Sequence, residues 1–104
     1  MHAEKIHTKQ DLLEVLFQHG ATIKSYGVTS MGIFGSFIKE TQTESSDVDL
    51  LVDFEPSKKS FDNFMDLSFF LEELLGRNVE LVTTQSLSKF IGPHILKEVQ
   101  DVSL

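Results

Sequence analysis

Two aspartates separated by one residue, Asp47 and Asp49, are the strongest chemical signal in this sequence. They stand at the start of an apolar, β-branched stretch, Val48–Phe54, whose pattern predicts a buried strand. Because side chains alternate along a strand, carboxylates at i and i+2 project from one face, with their Cβ atoms about 7 Å apart. Mg²⁺ is commonly held by one or two carboxylates together with water and phosphate oxygens. The pair therefore predicts a magnesium site that leaves positions open for a phosphorylated substrate.

A Gly-Ser pair, Gly35-Ser36, follows a second predicted strand, Val28–Phe34, and ten residues separate it from Asp47. Glycine lets the backbone approach an anion, exposed N–H groups after a strand can bind phosphate oxygens, and the serine hydroxyl adds a donor. A lone Gly-Ser is usually a turn, and a lone Asp-x-Asp is usually a solvated strand entrance. All four fixed positions would coincide in a chain of this size at a frequency of roughly 10⁻³. The combination indicates phosphoryl or nucleotidyl transfer.

A third acidic residue, Glu80, lies within the apolar stretch 79–82, which is predicted to be a strand. Two interpretations are open. Glu80 can lie in water on an edge or half-exposed strand, as charged residues in strands usually do. If this strand instead pairs beside Val48–Phe54, Glu80 can face the same site, complete a two-metal centre and accept or orient the proton of the attacking hydroxyl.

The elements that position these residues alternate along the chain. The pattern predicts a first helix over 9–19 capped by Thr8, a strand over 78–83 and two short terminal helices after Ser86 and Gly92-Pro93. Between them, Ser60 and Gly76 bracket a predicted helix over 61–75. This order predicts one α/β (α+β) domain spanning residues 1–104, with a mixed sheet flanked by helices and Val48–Phe54 central in the sheet.

Composition excludes several classes of function. The 104 residues carry 16 acidic and 9 basic side chains, and a net charge of −7 argues against direct polynucleotide binding. Without cysteine, the chain cannot form disulfides, thiolate zinc sites, iron–sulfur clusters or a cysteine nucleophile. No stretch approaches the roughly 18 apolar residues of a membrane span, and the first residues lack the apolar region of a signal peptide. We therefore expect a cytoplasmic protein with no membrane partner.

Together these motifs closely resemble the minimal nucleotidyltransferases of the DNA polymerase beta superfamily, small domains commonly found as antitoxins to HEPN-domain toxins. The resemblance rests on Gly35-Ser36, on Asp47-Val48-Asp49 and on the stretch 76–83, and it covers about residues 10 to 102. It implies a polymerase-beta-like fold, ATP as substrate and Mg²⁺ as cofactor. It also implies transfer of AMP to a hydroxyl, typically a tyrosine of the partner HEPN toxin.

Carried over by position, the resemblance implies that Gly35 and Ser36 bind the triphosphate and that Asp47 and Asp49 bind the metals. Glu80 falls where the family usually has its third catalytic aspartate. The family often carries an arginine-containing stretch after Gly-Ser, but this chain does not, which leaves Lys39 as the nearby cation for the triphosphate.

These two departures favour an alternative in which the protein silences the toxin by covering its active site, without catalysis. A sugar-nucleotide transferase that uses Asp-x-Asp also fits paired carboxylates. It is disfavoured because 104 residues leave little room for an acceptor domain and because Gly35-Ser36 would have no role.

The predicted helix over 61–75 also carries a candidate interaction surface. At 100° per residue, its apolar side chains share one wide face: Phe61, Phe64, Met65, Leu67, Leu71, Leu74 and Leu75. Phe69 falls within the opposite acidic stripe, and Phe70 lies on the border of that stripe. Two adjacent aromatics there predict a contact with a partner protein or with a second copy of this chain.

Overall fold

The computed structural model of the chain describes residues 5–87 and 92–104. Its elements in chain order are α1 (Lys9–Gln18), α2 (Gly20–Ser25), β1 (Val28–Phe34), α3 (Ser36–Lys39), β2 (Val48–Phe54), a 3₁₀ helix (Pro56–Lys58), α4 (Phe61–Leu75), β3 (Val79–Thr83), a second 3₁₀ helix (Thr84–Ser86), α5 (Gly92–Glu98) and β4 (Gln100–Asp101). None of the described helices is both long enough and apolar enough to cross a bilayer.

The four strands form one mixed sheet in the order β3-β2-β1-β4. β1 runs antiparallel to β2 and β4, whereas β3 runs parallel to β2. The predictions of a mixed sheet, of strands at Val28–Phe34 and Val48–Phe54, and of a central β2 are confirmed. β4 was not predicted, because a two-residue strand carries no alternation pattern.

The two faces of this sheet differ in chemistry. Because paired residues on neighbouring strands share a face, Ile33 and Leu50 project from one side together. That side, the apolar face, packs with buried side chains of the helices into one core: Ile6, Leu12, Leu16, Ile23, Val28, Met31, Ile33, Phe37, Val48, Leu50, Val52, Phe54, Leu67, Leu71 and Leu75. The opposite side, the acidic face, carries Phe34, Asp49 and Glu80.

Helix α4 begins and ends where its capping residues predict. The Ser60 Oγ accepts a hydrogen bond from the Asn63 N–H (3.1 Å), and Gly76 takes the left-handed conformation (φ 67°) that closes the helix. Three leucines of the predicted apolar face, at positions 67, 71 and 75, are fully buried. Phe61 is different, because it lies in the first turn beyond the edge of the core and is 76% exposed.

The N-terminal helical region is longer than predicted. The Thr8 hydroxyl caps α1 by accepting from the Asp11 N–H (3.0 Å), but α2 starts at Gly20, where the sequence suggested a stop. A Cβ at Gly20 would lie 2.7 Å from the carbonyl carbon of Leu104. This glycine therefore permits close approach of the chain's last residue and does not end the helical region.

The C-terminal predictions are met in part. The helix expected after Ser86 falls largely outside the described residues. The second expected helix is α5 (Gly92–Glu98), and it includes the Gly92-Pro93 pair after which it was predicted to start. β4 follows at once, and the Val102 N–H then donates to the Met31 carbonyl (2.9 Å).

Candidate functional site

The Gly35-Ser36 turn joins β1 to α3 at one corner of the acidic face. Gly35 has φ 76° and ψ −149°, a conformation that favours glycine. A Cβ at this position would collide with the Asp49 carboxylate. The turn therefore requires glycine for two reasons, and the missing side chain lets the main chain lie directly against Asp49.

Asp49 lies at the centre of the carboxylates on the acidic face. It pairs in register with Glu80 on β3 and with Phe34 on β1. Burial raises the pKa of Asp49 to about 7, assisted by a hydrogen bond and charge repulsion from Glu80 and then by the charges of Asp47 and Glu98. Several acidic groups therefore repel one another around a half-buried carboxyl.

The positions of the predicted acids answer the question that the sequence left open for Glu80. β3 is an edge strand and Glu80 is exposed, yet the parallel pairing with β2 also sets Glu80 opposite Asp49. Asp47 lies just before β2 and is exposed as well. Glu80 is thus exposed, as the first interpretation states, and lies on a strand paired beside β2, as the second states. The roles of these residues in metal binding remain predictions.

The donor set suits a metal that arrives with its substrate. Within residues 5–87 and 92–104, no three His, Asp or Glu side chains are placed so that they could hold a metal ion by themselves. Mg²⁺ needs only one or two carboxylates when water and phosphate oxygens complete its shell. Asp47 and Asp49 fit that partial set, and a divalent cation would compensate the repulsion around Asp49.

Arg77 fixes the loop that leads into Asp47. Its buried guanidinium donates through Nε to the Ile6 carbonyl (2.7 Å) and through Nη1 to the carbonyls of Thr43 and Ser46 (both 2.9 Å). These bonds pair a buried charge with main-chain oxygens, and the Ser46 carbonyl is next to Asp47 in the chain.

The same guanidinium also reaches the helix that follows the Gly-Ser turn. Its central carbon lies 5.1 Å from the ring centre of Phe37, which is fully buried in α3. Arg77 therefore links β3, the loop before Asp47 and α3. Sequence reasoning missed this role, although an arginine directly before a predicted strand was a signal.

Glu98, at the end of α5, was also missed. Its Oε1 accepts a hydrogen bond from the Gly35 N–H (3.2 Å), and its Oε2 lies 3.5 Å from the Lys39 Nζ. One carboxylate thus binds two groups that were predicted to bind nucleotide. No local pattern around Glu98 indicates this, because the contact with Gly35 spans 63 positions of the chain.

Open space adjoins Asp47. A cavity of about 480 Å³ is lined there by Asp47, Arg77, Lys5, Glu72 and Asn78, among others. Charged and amide groups dominate these residues. The cavity leaves Asp47 accessible to a bound molecule.

The two aromatics of the candidate interaction surface differ in exposure. Phe69 is 60% exposed on α4, as the helical pattern predicted. Phe70 is half-buried, and its ring centre lies 5.7 Å from that of Tyr26. Phe70 therefore packs against α2 and its C-cap residue, which leaves Phe69 as the exposed aromatic of the pair.

Comparison with known proteins shows the family of this chain. The nucleotidyltransferase domain family matches residues 20–102. The protein adenylyltransferase MntA of Thermococcus cleftensis is 39% identical over 93 residues, which cover 88% of this chain and 93% of that protein.

Two solved structures share the fold. One, classed as a minimal nucleotidyltransferase, matches with a TM-score of 0.81 at 26% identity and covers 93% of this chain and 98% of its own. A toxin-antitoxin crystal structure with AMP-PNP matches with a TM-score of 0.66 at 18% identity, covering 91% and 72%. This chain therefore belongs to the nucleotidyltransferase domain family and has the minimal nucleotidyltransferase fold.

Proposed function

We propose that this protein transfers AMP from ATP to a tyrosine hydroxyl of a cognate HEPN toxin in the cytoplasm and so acts as its antitoxin. The observation that supports this best is the convergence of Gly35, Asp49 and Glu80 at one corner of the sheet. The 39% identity to a protein adenylyltransferase supports the reaction type. The toxin-antitoxin structure with AMP-PNP supports a nucleotide substrate and a toxin partner.

The triphosphate is assigned to the Gly35-Ser36 turn and Lys39. The Gly35 N–H and the Ser36 hydroxyl supply donors without bulk, and Lys39 supplies a positive charge. Asp47 and Asp49 would hold Mg²⁺, which supplies charge compensation on the phosphates when it is bound.

The transfer step itself involves the acceptor hydroxyl, the α-phosphorus and Glu80. The acceptor oxygen attacks the α-phosphorus in line, a new P–O bond forms, and the bond between the α-phosphorus and its bridging oxygen breaks. Pyrophosphate leaves toward Gly35 and Ser36. Glu80, exposed beside Asp49, takes the proton of the acceptor hydroxyl or orients it.

Mass spectrometry of the toxin partner tests this proposal. After incubation with ATP and Mg²⁺, we expect the partner to gain the mass of AMP. The double variant Asp47→Asn, Asp49→Asn removes the predicted metal-binding charges, so transfer should fall by at least about 10³-fold.

Asp53→Asn is the matched control. Asp53 lies on the same strand and face, but its carboxylate accepts from the Ser30 and Thr84 hydroxyls, so its variant should retain transfer. Absence of an adduct with every divalent cation would rule out the catalytic proposal.

A specific contact favours a second candidate function, occlusion without catalysis. Glu98 pairs with Lys39, the only cation that the sequence offers close to the Gly-Ser turn, and thereby reduces the charge available to a triphosphate. In this case the double aspartate variant would still neutralise the toxin in a growth or nuclease assay, whereas the enzymatic proposal requires that it fail.

The partner surface is assigned to Phe69. Truncating a large exposed aromatic at the centre of an interface typically costs more than 1 kcal/mol of binding free energy. We therefore expect Phe69→Ala to weaken partner binding about tenfold in a titration, whereas Phe61→Ala, another exposed phenylalanine of α4, should not. Unchanged affinity and unchanged oligomeric mass would show that Phe69 contacts neither the partner nor a second copy of this chain.

A further inference from the structure

We propose that Glu98 is a nucleotide-site residue that sets the affinity for the triphosphate, because its carboxylate occupies the donors that the phosphates need. The nucleotide then binds in exchange for the Glu98 side chain. This inference rests on the proposed function, since it takes Gly35 and Lys39 as the triphosphate-binding groups.

The geometry supports exchange because both interactions are made by one carboxylate. One oxygen of Glu98 accepts from the Gly35 N–H (3.2 Å), and the other lies 3.5 Å from the Lys39 ammonium. A carboxylate and the edge of a phosphate group present similar pairs of anionic oxygens to such donors. The Gly35 N–H has a single hydrogen, so it cannot make full hydrogen bonds to Glu98 and to a phosphate at once.

The charges near the site add to the competition. Asp49 already experiences the charges of Glu80, Asp47 and Glu98. An incoming polyphosphate brings further negative charge to the same corner, and like charges at close range repel. Removing Glu98 from the Gly35 N–H and Lys39 therefore both frees two donors and lowers the repulsion.

The Glu98 side chain can leave without unfolding its surroundings. The next residue, Val99, packs over Gly32 of β1, where any Cβ would collide with it, and the Val99 N–H donates to the Ile95 carbonyl (2.9 Å). These contacts hold the backbone at the end of α5. The Glu98 side chain is itself 30% exposed, so rotation about its own bonds suffices to move the carboxylate into water.

The expected effect follows from the fraction of molecules in which the site is free. An apparent dissociation constant equals the intrinsic constant divided by that fraction. A Glu98 contact made in about 70–90% of molecules would weaken nucleotide binding about three- to tenfold. Partial exposure of Lys39 and Glu98 limits the effect to this range.

Isothermal titration with ATP in the presence of EDTA tests this, because it isolates the phosphate contacts from the metal. We expect Glu98→Gln and Glu98→Ala to bind ATP about three- to tenfold more tightly than the wild type. Glu73→Gln is the matched control, since it makes the same chemical change at an exposed position of α4 and should leave affinity unchanged. Equal or weaker ATP binding by both Glu98 variants would overturn the inference.

A second measurement needs no nucleotide. In the ligand-free protein, Glu98→Ala removes the charged acceptor of the Gly35 N–H, so the amide proton resonance of Gly35 should move upfield by NMR, and Glu73→Gln should not move it. An unmoved Gly35 resonance would overturn the inference whether or not ATP binds. Absence of ATP binding by the wild type and by every variant when Mg²⁺ replaces the EDTA, by contrast, would contradict the proposed function itself.

Discussion

The apolar and acidic faces of the sheet use neighbouring residues of the same strands for opposite purposes. Leu50 is fully buried in the core, whereas Asp49, one residue earlier on β2, is held among other acids. The apolar face gains free energy from burial, and the acidic face keeps charges together at a cost. Alternation along one strand therefore lets stability and chemistry be changed separately.

The largest expected effect comes from comparing one substitution on each face of β2. Leu50→Ala should lower the free energy of unfolding by about 3 kcal/mol, because it leaves a cavity under the sheet. Asp49→Asn should not lower it, since no stabilising charge interaction is lost at that position. Urea denaturation of both variants measures the difference. Comparable destabilisation by the two substitutions would mean that the faces are not separate in this sense.

An effect of intermediate size is expected on the pH dependence of the free energy of unfolding, to which Asp49 on the acidic face contributes. The folded protein raises the pKa of Asp49 from 3.8 to about 7, so the unfolded chain ionises this carboxyl more readily. Its contribution to stability is therefore complete below about pH 4 and is lost as the pH rises through about 7. Because the group is half-exposed, we expect a loss of about 1–2 kcal/mol.

The check is the difference in unfolding free energy between the wild type and Asp49→Asn, measured with EDTA from pH 4.5 to 8. The variant should become the more stable protein at the upper end of this pH range. A difference that stays constant with pH would contradict the assigned environment of Asp49.

The smallest effect concerns the backbone conformation of Glu40, the residue after α3. Glu40 has φ 56°, and no other non-glycine residue in the described part of the chain has a positive φ. Glu40→Gly should raise the free energy of unfolding by about 0.5–1 kcal/mol, because glycine adopts this conformation without steric cost. Glu40→Ala keeps the strained φ and serves as the control in thermal unfolding. Equal gains from both variants would point to the charge of Glu40 as the cause.

Local signals predicted the parts of the fold that local chemistry decides. The helix from Ser60 to Gly76 is set by its two caps, and β1 and β2 by their apolar runs. The pairing of Asp49 with Glu80 was foreseen as one of two alternatives, because sequence spacing puts both acids on strands but does not order the strands.

The missed features depend on contacts between distant parts of the chain. Arg77 donates to main-chain carbonyls. Because every residue has a main-chain carbonyl, the sequence does not indicate which ones Arg77 binds. Glu98 lies beside Gly35 at the end of α5, just before β4 pairs with β1. The two-residue strand is too short for any pattern to predict that pairing.

The pairing of β4 with β1 also orders the events of folding. Gly32 and Asp101 are partners although 69 positions (101 minus 32) separate them, whereas β2 and β3 are joined through the adjacent helix α4. Closing the longer loop, between β1 and β4, costs more chain entropy. A two-residue ladder is too weak to offset this cost before the rest of the sheet has formed. We therefore expect α5 and β4 to dock last, so that during refolding the Gly35-Ser36 turn forms before the Glu98 carboxylate reaches the Gly35 N–H.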